Sequence, residues 1–449
     1  MVTRLEDACS RGRYEVVRRE LSRAQDVDLC FPLFSTCENG HAAVAQLLLE
    51  RGADVNSRRA ETQQSVLMTT CVGGHVPVVR LLLDHRADVN LLRNDEATAL
   101  HICCHKGHAQ VAELLLDRGA SVNLSFGCAT PLFLACDEGH EHVVRLLLDR
   151  QADVNISYHK GATPLYVACQ NGFHGVMQLL LERGASVNAC TDNGTGPLYI
   201  SCHKGFKDQV SALLDRGACA NTSRLEDGVT PLLIACKDSH TGIVSLLLEH
   251  RAEVDLADIG GATALMVVCE EEEDRRDLAK LLLDWGARVN LARKDGISPL
   301  FMACHYNNPL TASLLIERGA NINQSDNHDV TPLWQACYKD SDECASLLVH
   351  LGADVNLTDK QGVTPLTVCT LNGKLEMVEL LLDHGASTGS RSLVSACVNS
   401  HFEVVKLLLA KSANPNLTSE GLSPLHAACH EGNERIVELL LDAGADINV

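Results

Sequence analysis

Fourteen of the twenty cysteines fall into one register: Cys9, Cys37, Cys71, Cys104, Cys136, Cys169, Cys202, Cys236, Cys269, Cys304, Cys337, Cys369, Cys397 and Cys429. Neighbours in that series lie 32 to 35 residues apart, except Cys9–Cys37 and Cys369–Cys397, which lie 28 apart. A period in the low thirties marks a stacked repeat protein. Such a chain needs no single large core, because each unit buries its apolar side against the next. The 449 residues therefore read as one elongated array, not as two or three globular domains. Its function must lie on the surface of that array.

The segment Ala162–Asn188 shows how one unit is written. Thr163 can accept a hydrogen bond from an orphan amide of a first helical turn. Pro164 at the next position lacks only an N–H the helix does not use. Leu165, Ala168 and Cys169 make a short apolar face, which Gly172 ends. Val176, Met177, Leu179, Leu180 and Leu181 then form the stripe of a second helix. Gly184 is the left-handed stop expected after it.

The same grammar recurs along the chain. Thr130, Thr230, Ser298, Thr331, Thr364 and Ser423 each precede a proline and open a first helix. Gly52, Gly119, Gly217, Gly286, Gly319, Gly352, Gly385 and Gly444 each precede an alanine and close a second one. This pattern closely resembles the ankyrin repeat, G-x-TPLHxAxxxGHxxVVxLLLxxGADVN, over the whole of 1–449. The resemblance implies an all-α solenoid: helix-turn-helix units joined by β-hairpin-like fingers, in a curved right-handed stack with fingers and first helices on the concave side. The repeats run over residues 1–28, 29–56, 57–90, 91–123, 124–155, 156–188, 189–221, 222–255, 256–290, 291–323, 324–356, 357–388, 389–416 and 417–449.

In that fold the register cysteine takes the place of a small buried residue. Helices pack about 8–10 Å apart, beyond the roughly 7 Å Cα reach of a disulfide. The cysteine ladder is thus expected to be packing, not redox chemistry or a metal site. Cys30, Cys103, Cys128, Cys190, Cys219 and Cys344 stand outside it without C-x-x-C spacing, and some are expected exposed on fingers. His41, His75, His108, His140, His240 and His401 fill a slot where the family uses histidine to tie backbone. That accounts for His140 in the His140–His142 pair without a metal.

Composition narrows the function. The chain holds 38 basic and 58 acidic residues, a net charge of −20. Broad binding to nucleic acid or anionic membrane needs clustered Lys and Arg, so neither is expected. No apolar run of about 18 residues exists to insert in a membrane, and Met1–Arg13 is polar, unlike a secretory signal. A reducing cytoplasmic or nuclear location is expected, where Asn123, Asn155, Asn193, Asn221, Asn323, Asn356 and Asn416 would stay unglycosylated despite matching N-x-[ST].

Individuality lies in the departures. Only four residues separate Asp28 from Leu33 and Thr388 from Leu393, so the first finger is nearly missing and the thirteenth unit lacks its own. The ninth unit carries an acidic run, Glu270, Glu271, Glu272, Glu273 and Asp274, and a Trp285 where Arg or His is usual. The residues just after each register cysteine should face the groove. They read His105-Lys106, His203-Lys204, Lys237-Asp238, His305-Tyr306 and Tyr338-Lys339, with His159-Lys160 on a finger. This is a stripe suited to carboxylates, phosphates and stacking, interrupted by Asp137-Glu138 and Glu270-Glu271.

A non-enzymatic scaffold or adaptor for protein–protein interaction is the leading expectation, with a protein or peptide bound on the concave face by a monomer. No phosphate-binding, dinucleotide, zinc-protease or serine-hydrolase motif is present, and no cofactor is expected. The alternative is the recruiting portion of a larger enzyme, adaptor or channel; Ala443–Val449 ends on an ordinary repeat, as though more chain followed. The resemblance also implies that Asn56, Asn90, Asn123, Asn155 and Asn188 match finger-base asparagines that asparaginyl hydroxylases modify.

Overall fold

In the computed structural model residues 2–23, 28–125, 127 and 129–448 are described. Among them are 28 helices, running as 14 consecutive pairs from Val2–Ser10 to Glu434–Asp442. Each is short, six to ten residues. Isolated helices of that length are marginal in water, so packing between units must hold them. First helices pack on first helices, and second helices on second helices. Contacts gather the chain into two compact units, residues 1–226 and 227–449. Among the described residues no helix is long and apolar enough to cross a membrane.

The local signals act as read. Thr163 Oγ1 accepts from the Tyr166 amide at 3.2 Å, and Pro164 opens the helix Pro164–Asn171. Thr130, Thr230, Ser298, Thr331, Thr364 and Ser423 cap their helices in the same way. Gly172 and Gly184 both sit at φ +83°, a left-handed backbone that costs a non-glycine residue roughly 1–2 kcal/mol. In the second helices Leu48, Leu82, Leu115, Leu147 and Leu180 are fully buried, each contributing about 1.5–3 kcal/mol of apolar burial.

The fingers differ from a continuous hairpin ladder. Among the described residues there are no strands, only the isolated bridges Arg58–Ser65, Tyr158–Ala162 and Ser419–Leu422. The fingers are tight turns closed by one to three backbone bonds, as in Thr191 to the Thr195 carbonyl at 2.9 Å, Asp359 to Val363 at 3.1 Å, and the reciprocal pair between Tyr158 and Ala162 at 2.8 and 2.9 Å. Successive tips are joined the same way. The Asp192 amide reaches the Lys160 carbonyl at 2.8 Å, Asn327 reaches Asp295 at 2.9 Å and Lys360 reaches His328 at 3.1 Å. One bond per junction is too little for a sheet.

Two further ties run from unit to unit. Asn56, Asn90, Asn123, Asn155 and Asn188 each accept, through Oδ1, the amide of the following repeat at 2.8–2.9 Å. The slot histidines reach the other way, to the carbonyl ending the previous first helix. His41 meets Ser10, His75 meets Glu38, His140 meets His105 and His401 meets Leu371, all at 3.0 Å; His108 meets Val72 at 3.2 Å.

Candidate partner-binding surface

The cysteines divide by neighbourhood. Every register cysteine from Cys9 to Cys397 is fully buried, and burial pushes the Cys37, Cys169 and Cys236 thiols up to about 12. Cys429 departs from the expectation and is exposed. All the described cysteines are free. Neighbouring thiols still act on one another: Cys369 and burial push the Cys337 thiol up, and Cys103 and burial do the same to Cys71. Of the off-register residues Cys190 and Cys219 are exposed, Cys30 is half-buried, Cys103 and Cys344 are buried, and Cys128 lies outside the described residues.

The acidic run of the ninth unit is divided: Glu272 and Glu273 are exposed, while the other three residues are tied internally. Asp274 accepts from the Leu310 and Thr311 amides and from Thr311 Oγ1 at 2.8, 3.3 and 2.6 Å. The Glu271 carbonyl accepts from Asn308 Nδ2 at 2.7 Å, and Glu270 pairs with Arg293 at 3.7 Å. Trp285 is left 47% exposed.

The groove stripe is distributed, not gathered. In residues 1–226, His105, Lys106, His203 and Lys204 are exposed at the last turns of first helices. His105 Nδ1 lies 3.3 Å from the Glu138 carboxylate. His159 and Lys160 sit apart from them, on a finger tip. There they line an open cleft of about 780 Å³ with Tyr166, Gln170, Asp192, Asn193, Leu225 and Glu226. Leu225, on the next tip, is 69% exposed. The cleft is therefore mixed, its charged and amide side chains standing beside Ala162, Tyr166 and Leu225.

In residues 227–449 the stripe carries rings. Lys237 is exposed. His305 lies against Tyr306, centroids 4.7 Å apart and planes tilted 51°, and Nδ1 meets Gln335 Nε2 at 2.8 Å. Burial, then Lys339, holds the His305 imidazole below its usual range. Tyr338, followed by the exposed Lys339, stacks on Trp334 at 5.3 Å with the planes 25° apart. Trp334 Nε1 donates to the Val363 carbonyl at 3.1 Å. These two rings belong to an apolar pocket of about 520 Å³.

That pocket opens where the thirteenth finger is missing. The helix Ser390–Val398 starts two residues after Thr388, so no finger stands there. Arg391 fills the break with its side chain: Nη1 donates to the Gln361 carbonyl at 2.6 Å, and Nη2 to Glu420 at 2.6 Å. Gln361 and Glu420 belong to the flanking twelfth and fourteenth fingers. Trp334, Arg391, Glu420 and Leu225 were not singled out from sequence. The signal for Arg391 was its place inside the deletion.

A family profile described as ankyrin repeats in three copies matches overlapping windows from residues 37–126 through 198–293 to 387–449. A mouse "Ankyrin repeat and SAM domain-containing protein 6" is 36% identical over 86 residues, 19% of this chain and 10% of its own length. The Caenorhabditis elegans "Ankyrin repeat and KH domain-containing protein mask-1" is 28% identical over 222 residues, 48% of this chain and 8% of its own. A human "Ankyrin repeat and SOCS box protein 16" is 40% identical over 62 residues, 14% of each. This chain thus spans only a small part of the curated relatives it matches. Among solved structures, the human ASB11 ankyrin repeat domain gives a TM-score of 0.46 at 28% identity, over 49% of this chain and 98% of that one.

Proposed function

The chain belongs to the ankyrin-repeat family, and from that premise we propose that it binds a partner protein or peptide along the groove made by first helices and fingers. Binding is the whole of its action in this reading; no catalysis is assigned to it. The observation that carries the reading is the finger cleft of residues 1–226. Its tips place His159, Lys160 and Leu225 around one open space, while His105, Lys106, His203 and Lys204 are exposed on first helices of the same unit. Long cationic and imidazole side chains of this kind can meet partner carboxylates, and Leu225 offers a small anchor. Lys237, His305, Tyr306, Tyr338 and Lys339 extend the reading to residues 227–449.

The test is a double charge reversal, Lys106→Glu with Lys204→Glu. Partners captured by the wild-type chain should be lost, while far-UV CD and melting stay unchanged. Normal capture by the double variant would remove the stripe assignment. A second reading, recruitment on behalf of another domain, is favoured by the relatives, whose names carry SAM, KH and SOCS box domains beside their repeats. Sequencing the full transcript tests it. The finger-base asparagines Asn56, Asn90, Asn123, Asn155 and Asn188 remain proposed hydroxylation sites. Intact mass after hydroxylase treatment should then show an added oxygen, and an unchanged mass would dismiss the idea.

A further inference from the structure

The missing thirteenth finger leaves more than a gap. Elsewhere in residues 227–449 a finger-tip carbonyl receives the amide of the next finger, as Asp295 receives Asn327 and His328 receives Lys360. Gln361 is the next carbonyl in that series, 33 residues on. It receives Arg391 Nη1 instead. A side chain has replaced a finger backbone in holding the twelfth tip, and the volume a finger would occupy stays open.

The open volume has apolar walls. Val363, Leu371, Val394 and Leu422 line it with Trp334 and Tyr338. Leu371 is 49% exposed, Tyr338 55% and Leu422 37%. An apolar recess left this wet is unfavourable unless something covers it. At about 520 Å³ it falls within the roughly 300–1,000 Å³ of ordinary ligand pockets.

Charge says what would cover it. The chain as a whole is at −20, yet the only charges lining the recess are Arg391 and Glu420, which pair with each other, and the next charges in sequence include two lysines. Lys339 follows Tyr338 and Lys360 precedes Gln361, both exposed, and Arg391 stands at the rim. The neighbouring acids are already engaged: Asp340 pairs with Lys374 at 2.7 Å, and Glu420 with Arg391. The Glu420 side chain is 80% exposed, so a competing carboxylate can displace it from Arg391 at small cost.

We propose that the gap of the missing finger seats an extended acidic peptide of a partner, whose one bulky apolar side chain enters the recess floored by Trp334 while its carboxylates meet Lys339, Lys360 and Arg391. This rests on the groove-binding reading above and names the chemistry of the partner at one place in the groove. The peptide takes the position of the absent finger, and its backbone runs past the tip that Arg391 holds.

The chain contains two tryptophans, so a Trp285→Phe protein reports from Trp334 alone. The probe is the capped peptide DEDFDED, with DEDGDED and KRKFKRK as controls. Saturable change of Trp334 emission is expected with DEDFDED, and a Kd at least tenfold weaker with DEDGDED. No response is expected with KRKFKRK. Leu422→Asp, at an exposed wall residue, should weaken DEDFDED at least tenfold with unchanged CD. Grafting a copy of residues 357–363 between Thr388 and Gly389 should abolish binding by filling the gap. Equal binding of the basic peptide, or indifference to the phenylalanine, to Leu422→Asp and to the graft, overturns the proposal. Loss of DEDFDED binding in Lys106→Glu/Lys204→Glu but not in Leu422→Asp overturns it too, while leaving the groove reading in place.

Discussion

The joints between repeats are built differently in residues 1–226 and in residues 227–449. In the first unit a ring reaches back over a glycine. A Cβ added at Gly40 would lie 2.6 Å from His75, one at Gly107 2.7 Å from His140, and one at Gly139 2.6 Å from Phe173. The glycine is needed twice there, for its positive φ and for the space. In the second unit that residue is often not glycine: Ser239, Asn307 and Asp340 hold φ +59°, +54° and +62°. The next repeat then uses no ring. Arg275 donates to the Cys236 and Lys237 carbonyls at 3.2 and 3.0 Å, Ser341 to the His305 carbonyl at 3.5 Å, and Lys374 pairs with Asp340. His401 is the internal control: it is a ring, and it lies over Gly373. The lesson is that two residues about 34 apart are chosen together, because a Cβ at one evicts an imidazole at the other.

The sharpest way to break this comparison is Gly107→Ala. It adds left-handed strain and a clash with His140, about 3 kcal/mol together. Urea unfolding measures it, and a cost under about 1 kcal/mol would mean the ring can move aside freely. Arg275→Ala comes next. Its side chain is only 16% exposed, and losing two charged donors to carbonyls should cost roughly 2–3 kcal/mol. Arg275→His should be better tolerated with Ser239→Gly than without it, a coupling on the order of 0.5–3 kcal/mol in a double-mutant cycle. Additivity there would refute the paired choice.

A smaller effect comes from His140→Ala, which removes one neutral tie worth about 1 kcal/mol. A titration probes the first unit by another route. His101 is 1% exposed; Nδ1 accepts from the Thr98 amide at 3.1 Å, and Nε2 meets the Leu124 carbonyl at 3.0 Å. Burial holds its imidazole below the ordinary value. The unfolded chain therefore takes up the proton first, so this stability is present above the usual histidine pKa, about 6.5, and fades as pH falls through the lower folded value. A melt series from pH 7.5 to 5 should decline less steeply in His101→Gln; equal slopes would exclude the residue. Smallest of all, Arg391→Ala should cost less than about 1 kcal/mol, since its carboxylate partner is in water. A larger loss would make Arg391 a structural clasp in its own right.

The fold itself was legible because its signals are local. Thr163 caps, Pro164 enters and Gly184 stops within a few residues of one another, and repetition confirms each reading many times over. The missing finger was legible too, as a short count between Thr388 and Leu393. Arg391 was not: its partners Gln361 and Glu420 are 30 and 29 residues away, and no spacing rule says which charged residue bridges a deletion. The exposure of Cys429 was equally hidden, since the register assigns each cysteine a place but not a neighbour to cover it. The role of Asp274 in the acidic run was hidden too, because the amides it accepts from, Leu310 and Thr311, belong to the next repeat.

Sequence alone determined the period, the helix pairs and the cysteine ladder, because capping, helix stops and apolar stripes act over less than one repeat. Tertiary structure decided which rings sit over which glycines, which carboxylates are already spoken for, and where an apolar recess stays open. Those are contacts made about thirty residues apart, and their energies depend on the space that neighbouring repeats leave between them.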